Sequence, residues 1–405
     1  MRVLHTADWH LGRTLEGRSR LAEQEAFVEE LTAMANDEEI DLVLVAGDVY
    51  DSVNPPAAAE QLYYEALSRL SDGGKRTVAV IAGNHDQPER IAAAAPLAAR
   101  SRIGRAGLPA AEPMRIGIAR TGEEAVIAAL PYPSESRLRE LLSEEADEGK
   151  LRSAYSERVG RLMHALSASF RPDTVNLAMS HIYVLGGLET ESERPIQVGG
   201  AYTIDPSALA VGSQYTALGH LHRPQRVNGD ETMRYSGSPL AYSFSEAGQA
   251  KSVVVFDAAP GAAVRPRELL HSCGRPLVKW TAKHGIAEVY GWIEEGRDAR
   301  AWIDLELHMQ EMITLEEIGR LRKLHDGLLH IRPVYPDLEG RAESEAARRE
   351  QLPVEELFRR FYIRQTGGAE PDEGTVRLFL ELLAEQDGET EDRAAAAAAE
   401  GGAGA

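Results

Sequence analysis

The 405-residue sequence predicts an α/β fold organised around a buried, mostly parallel sheet. Three observations carry this. Short runs of β-branched and aliphatic residues recur at residues 2–7, 42–46 and 77–82. Each run halts at a glycine, an acid, an amide or an imidazole. A helical pattern follows each halt. Strands that are apolar along their whole length read as covered on both faces, and in such sheets ligands gather outside the carboxyl ends of the strands.

The first strand, Arg2 to Ala7, ends in Asp8-Trp9-His10. In extended backbone, residues two apart face the same way, so Asp8 and His10 converge on one point. Leu11 to Arg20 is a polar loop with Arg13, Arg18 and Arg20, and a helix with Ala26, Phe27, Leu31 and Met34 follows. The second strand, Leu42 to Ala46, ends in Gly47-Asp48-Val49-Tyr50-Asp51. Pro55-Pro56 then opens an alanine-rich helix through Leu70, proline being well placed in a first turn. The third strand stops at Gly83-Asn84-His85-Asp86, and Pro88 to Arg102 reads as one more alanine-rich helix. Further strands are expected at Val126 to Leu130, Val175 to Met179, Tyr215 to Leu218 and Ser252 to Phe256. The second of these runs into Ser180-His181 and the third into Gly219-His220-Leu221-His222. Residues 135–172 read as charged and largely helical, Gly186 to Gly200 as an ordered loop, and Tyr235 to Pro239 as a turn.

Pro, Gly and Arg cluster between Pro260 and Pro276 and mark a boundary. The expected organisation is a first domain over 1–265, a small α+β unit over 275–342, a helical pair within 350–388 and a disordered tail over 389–405. In the pair, Val354, Leu357, Phe358, Phe361 and Tyr362 follow helical spacing, and Val376, Phe379, Leu380 and Leu383 repeat it. The single cysteine, Cys273, excludes an internal disulfide and a thiolate metal cluster, and suits a reducing cytoplasm. Neither a signal peptide nor an apolar run of the ~20 residues of a membrane span is found. A formal charge of −20 argues against a generally basic nucleic-acid coat, although a local patch and bound divalent cations would offset phosphate charge. No Gly-x-x-x-x-Gly-Lys-Ser/Thr loop is found, so ATP hydrolysis is not expected of this chain.

Asp8, His10, Asp48, Asn84, His85, His181, His220 and His222 all stand at strand ends. Each taken singly reads equally well as a turn former. Taken together, oxygen and imidazole ligands without thiolate suit Mn²⁺, Fe²⁺ or Zn²⁺. A pair of ions ~3.5–4 Å apart would clamp both the attacking and the leaving oxygens of a phosphoryl displacement. The other histidines, His5 among them, read as satisfied core or surface residues.

Asp8-x-His10, Gly47-Asp48-x-x-Asp51, Gly83-Asn84-His85-Asp86, Ser180-His181 and Gly219-His220-x-His222 resemble, in order, the signature of the calcineurin-like metallophosphoesterases. Thr6 to Gly12, Gly83 to Arg90 and Tyr235 to Pro239 resemble one branch of it, the bacterial SbcD exonuclease subunits, over residues 1 to about 388. The resemblance implies a four-layer sandwich, two mixed sheets flanked by helices, with a small cap and a C-terminal helix pair. It implies one ion on Asp8, His10 and His222, a second on Asn84, His181 and His220, and Asp48 bridging the two, the usual ion being Mn²⁺. His85 would steady the scissile phosphate or protonate the leaving oxygen, and the Asp51 carboxylate would orient His85. The implied activity is 3′–5′ exonuclease on double strands and endonuclease on single strands and hairpins, in DNA repair and recombination. The implied partner is an SbcC-type SMC-like ATPase gripping the helical pair, with Leu357, Phe358, Phe361, Phe379 and Leu383 as candidate contacts. The helices at 56–70 and 88–102 would form a homodimer within a heterotetramer. Arg13, Arg18 and Arg20 are candidates for DNA phosphate contact. Two other readings stay open. A small-molecule or phosphoprotein phosphodiesterase would need neither the cap nor the helical pair, and a non-catalytic scaffold would show lost ligands where none is lost.

Overall fold

The computed structural model describes residues 1–93, 95–134, 137, 148–193, 202–335, 354–365 and 370–380. Along the chain run β1 (Arg2–Thr6), α1 (Leu21–Asp37), β2 (Leu42–Ala46), α2 (Ala57–Ser71), β3 (Thr77–Ile81), α3 (Pro88–Ala92), α4 (Ala95–Arg100) and β4 (Ile103–Ala106). There follow β5 (Met114–Gly117), β6 (Glu124–Leu130), α5 (Glu148–Ser167), β7 (Val175–His181), β8 (Tyr215–Gly219), β9 (Gln225–Val227), β10 (Asp230–Tyr235), β11 (Ser252–Asp257) and β12 (Arg267–Leu270).

Two six-stranded sheets result, in the orders β12-β11-β1-β2-β3-β4 and β9-β10-β8-β7-β6-β5. The strands that carry the motifs run parallel: β1, β2, β3 and β4 in one sheet, and β6, β7, β8 and β10 in the other. Antiparallel pairs lie toward the edges. The continuous apolar runs divide between two cores. Leu42, Leu44 and Ala46 face the layer between the sheets, where they meet Leu177, Met179 and Ala217. Val43 and Val45 face the other way, onto Phe27 and Leu31 of α1 and Leu62 and Leu67 of α2. On the outer face of the second sheet, Tyr155, Val159 and Met163 of α5 cover Ala128, Ala178 and Leu218. The four-layer α/β sandwich expected from the resemblance is what the chain forms. Each fully buried Val, Leu or Ile contributes about 1.5–3 kcal/mol to holding those layers.

Two expectations are corrected here. The helix expected over 88–102 is two short helices followed by a strand; Pro96 has no N–H to continue the first helix into the second. The first sheet also runs past residue 265, because β12 pairs antiparallel with β11. β12 sits at the edge, and its sequence Arg-Glu-Leu-Leu has no apolar run to announce it.

His5 crosses the layer between the sheets. Its Nε2 lies 3.1 Å from the Leu218 carbonyl, which only accepts, so Nε2 donates and Nδ1 accepts from the Tyr215 hydroxyl at 2.9 Å. Burial pushes its pKa down from 6.5 to about 3. Below pH 6.5 the unfolded chain therefore binds a proton that the folded chain refuses, and stability is lost as pH falls toward 3. The drop in unfolding free energy between pH 7.5 and pH 5 is expected to be about 2 kcal/mol smaller in His5→Gln than in the wild type. Urea titrations at the two pH values measure it.

Beyond β12, β13 (Leu277–Ala282), β14 (Trp302–His308) and β15 (Leu328–Val334) form a three-stranded sheet in that order, with α6 (Ile286–Glu294) and α7 (Leu315–Leu324) between them. Leu277, Trp302 and Leu329 join Leu15 in one apolar cluster, against Ala241, Phe244 and Ala247. By compactness the chain divides into two units. One holds Met1–Ala282, Glu288–Glu306 and Leu315–Arg332; the other holds Lys283–Ala287, Leu307–Thr314 and the described residues from Pro333 on. In the second unit, α8 (Val354–Gln365) is followed by helical residues 373–380. Phe358 and Phe379 stack between them, with centroids 4.1 Å apart. Among the described residues no helix is long and apolar enough to cross a membrane.

Candidate metal centre

The carboxyl ends of β1, β2 and β3 lie side by side in register, as do those of β7 and β8, where Gly219 pairs with His181. The five motif segments therefore open onto one place. Asp8, His10 and Asp48 all take left-handed backbone, with φ of 55°, 45° and 48°, and His220 has φ of 108°. Strain of this kind at four clustered polar residues marks a functional site. The motif glycines are required by crowding. A Cβ at Gly83 would overlap the Asp48 carboxylate, and one at Gly219 would overlap the Ala46 carbonyl.

Asp8, His10 and His222 each bring a ligand atom within 4.8 Å of the others, and so do Asp8, Asp48 and His181. His10 Nε2 and His222 Nε2 are 3.0 Å apart. Asp48 Oδ2 lies 3.6 Å from His10 Nε2 and 3.4 Å from His181 Nε2, between the two groups. Its Oδ1 accepts the His85 N–H at 2.9 Å. Asn84 Oδ1 is 2.9 Å from His181 Nε2 and 3.1 Å from His220 Nδ1. Asp8 Oδ1 accepts the His220 N–H at 2.9 Å, while Asp8 Oδ2 is buried with no hydrogen-bond partner among the described residues.

These residues fit divalent cations. A buried carboxylate oxygen with no partner is costly unless a cation answers it. The electrostatics agree: burial pushes Asp8 up, and Asp48 adds to the push. Burial would lower His181, but Asp48 and Asp8 lift it to about 9, so the ion-free chain holds a proton where a cation belongs. His181 Nδ1 donates to the Ala46 carbonyl at 2.9 Å, which leaves Nε2 as the atom that could bind a cation. His10 and His220 are pushed down, chiefly by burial, and so are neutral imidazoles.

His85 stands at the edge of this cluster, 8% exposed where His10 is 0%, with its ring centroid 4.7 Å from that of His10. The expected pairing of the Asp51 carboxylate with His85 is not formed. His85 Nδ1 lies 2.7 Å from the main-chain carbonyl of Asp51. The Asp51 carboxylate lies 3.4 Å from His10 Nδ1 and 3.6 Å from Arg13. The loop after β2 turns its carbonyl inward, a choice that side-chain spacing does not reveal.

The three arginines part company. Arg18 is exposed. Arg13 donates to the Ser192 carbonyl at 2.8 Å and lies over the Tyr242 ring. Arg20 is buried at 1% exposure, pairs with Glu23 and donates to the Ala241 carbonyl at 2.9 Å. It has no free edge for DNA, which corrects the expectation that it contacts phosphate. Of the partner candidates, Leu357 is half-buried and Phe358 and Phe379 meet each other; nothing is described of the Phe361 side chain, and Leu383 lies outside the described residues.

Further residues brace the loops that carry the cluster. Asp86 accepts from the N–H of Val49 (3.1 Å), Tyr50 (2.9 Å) and Gly83 (2.8 Å), tying the loops after β2 and β3 together. Burial and the nearby Asp48 charge raise it to about 6. Asp86→Asn would turn an amide toward these donors and is expected to cost about 1–3 kcal/mol, read as a lower denaturation midpoint of the ion-free chain. Gln24 donates to the His10 carbonyl and accepts from Gly12. Ser192, Glu193, Glu246 and Lys251 close around His222. Asp86 stood in the Gly83-Asn84-His85-Asp86 motif, and Glu246 left a trace as the last residue of a Ser243-x-x-Glu246 capping box.

The likeness to known proteins agrees with this geometry. A family model described as calcineurin-like phosphoesterase matches residues 1–224. A second, described as the type 5 capsule protein repressor C-terminal domain (SbcD_C), matches 273–366. The SbcD subunit of the SbcCD nuclease of Bacillus subtilis (strain 168) is 54% identical over 383 residues, 94% of this chain and 97% of that one. The corresponding nuclease subunit of Rhodobacter capsulatus is 36% identical over 282 residues, 65% of this chain and 68% of that one.

Proposed function

The chain belongs to the calcineurin-like phosphoesterases, in the branch of the SbcD nuclease subunits, and on that premise we propose that it hydrolyses DNA phosphodiesters at a two-ion site. The carrying observation is Asp48 Oδ2, which lies within 3.6 Å of His10 Nε2 on one side and 3.4 Å of His181 Nε2 on the other. In this reading Asp8, His10 and His222 hold one ion, Asn84, His181 and His220 the other, and Asp48 serves both. Mn²⁺ is the proposed ion, in keeping with the oxygen-and-imidazole donor set. Bound there, divalent ions supply a nucleophile from water near neutral pH and neutralise charge at phosphorus. The residues that would hold them are braced by Asp86, Gln24 and the Ala46 carbonyl, and His85 would carry a proton toward the leaving oxygen.

The proposed substrates are DNA ends and hairpins, cut as a 3′–5′ exonuclease on double strands and as an endonuclease on single strands and hairpins, in cytoplasmic repair and recombination. The proposed partner is an SbcC-type ATPase docking on the helices at 354–365 and 373–380, with two copies of each chain in the assembly. The match of the second family model over 273–366, a region a minimal phosphatase would not need, supports this reading.

The test is cleavage of an end-labelled DNA hairpin by the purified chain, in Mn²⁺ and in Mg²⁺, with and without the ATPase. Cleavage in Mn²⁺ is the expected result. Hydrolysis of bis(p-nitrophenyl) phosphate with no DNA cut, even with the ATPase present, would replace the nuclease reading with a small-molecule phosphodiesterase.

A further inference from the structure

Behind His222 lies a buried chain of polar groups that no ligand motif includes. Ser192 Oγ is 2.6 Å from His222 Nδ1 and 2.6 Å from Glu246 Oε1. A serine hydroxyl has one proton, and a carboxylate only accepts. The hydroxyl therefore donates to Glu246 and accepts from His222, which puts the imidazole proton on Nδ1 and the lone pair on Nε2. Nε2 is the atom 3.0 Å from His10 Nε2. The other oxygen of Glu246 pairs with the Lys251 ammonium, which also donates to the His222 carbonyl at 2.8 Å and to Ser238 Oγ at 3.0 Å. The chain thus returns to the residue it started from. Glu193, next to Ser192, accepts the His222 N–H at 2.8 Å. Ser192, Glu246 and Lys251 are at most 8% exposed.

We infer that Ser192, Glu246 and Lys251 form a positioning relay that fixes the tautomer and the place of His222, and so set the affinity of the ion it holds. The inference rests on the two-ion reading above and adds three positioning residues to it. A partner that fixes the far nitrogen of a ligating imidazole is typically worth 10- to 100-fold in metal affinity. Ser192 comes from the loop after β7 and Glu246 from the segment before β11, so the relay also ties the docking of both segments to one ligand.

The test titrates Mn²⁺ by calorimetry into the ion-free full chain as wild type, Ser192→Ala, Ser192→Thr and Glu246→Gln, with ¹⁵N spectra of the histidines alongside. In Ser192→Ala one of two ions is expected to bind 10- to 100-fold more weakly while the other is unchanged, and His222 is expected to lose its fixed Nδ1–H form. Ser192→Thr, which keeps the hydroxyl, is expected to restore both. Glu246→Gln should weaken the same ion, which keeps the inference testable if Ser192→Ala does not fold. A purely structural role would lower the melting temperature and leave the tautomer alone. Wild-type affinities with the Nδ1–H form intact in both variants would overturn the relay. A wild-type chain that takes up no Mn²⁺ would instead overturn the two-ion reading beneath it.

Discussion

Asp48→Ala is expected to lower DNA cleavage at least about 10³-fold and to weaken both ions together. The reason is placement. Asp8 Oδ1 is engaged by the His220 N–H, and the other ligands each belong to one half of the cluster. Asp48 Oδ2 stands within 3.6 Å of an imidazole from each half, His10 and His181, while its Oδ1 holds the His85 N–H. Burial would raise the Asp48 carboxyl, but His181 holds it well below the carboxylate range, so it is charged at any working pH. Removing it would take one negative charge from both ions of the proposed site and would loosen the turn that carries His85. Asn84→Ala is the contrast, because among the described residues Asn84 Oδ1 meets the imidazoles of His181 and His220, both of one half. Metal analysis of dialysed protein together with hairpin cleavage measures both. An Asp48→Ala chain that keeps one ion at wild-type affinity would refute the bridging role.

The strand ends were legible because one pattern repeats. Leu42 to Ala46 and Thr77 to Ile81 are apolar at nearly every position, each is buried on both faces, and each stops just before the residues that enter the site. Strands at a sheet edge or next to one hid for the opposite reason. Asp230–Tyr235 is exposed over its first two residues, and Arg267–Leu270 is mostly exposed, so neither shows an uninterrupted apolar run. Arg20 misled because a sequence shows a cation in a polar loop but not that Glu23, three residues on, saturates it. The relay behind His222 was out of reach altogether. Ser192 is 30 residues from His222 and 54 from Glu246, and only the docking of two aperiodic loops brings the three together. Sequence patterning reports which face of an element is apolar, whereas the support of a ligand depends on carbonyls and hydroxyls that any loop sequence can supply.

His85→Gln is expected to retain both ions and to cut DNA 10²- to 10⁴-fold more slowly, the range of a positioned proton donor. The Asp51 carbonyl 2.7 Å away can only accept, so His85 Nδ1 is the donating nitrogen and Nε2 is left to face the reaction. A proton reaches the leaving oxygen from Nε2 only when the ring is an imidazolium. The two roles open to His85 separate by leaving group. A DNA alkoxide needs a proton, whereas nitrophenolate leaves without one. If His85 is the acid, His85→Gln should spare a nitrophenyl phosphodiester that it cripples for DNA; if it only steadies the phosphate, both should fall alike. Asp51→Ala keeps the carbonyl that orients His85 and removes the carboxylate 3.4 Å from His10 Nδ1. It should therefore cost less than His85→Gln and should act through the ion that His10 would hold in the proposed two-ion site, visible as a changed Mn²⁺ affinity. Equal losses in the two variants, with ion binding untouched in both, would mean that the Asp51 side chain supports His85 after all.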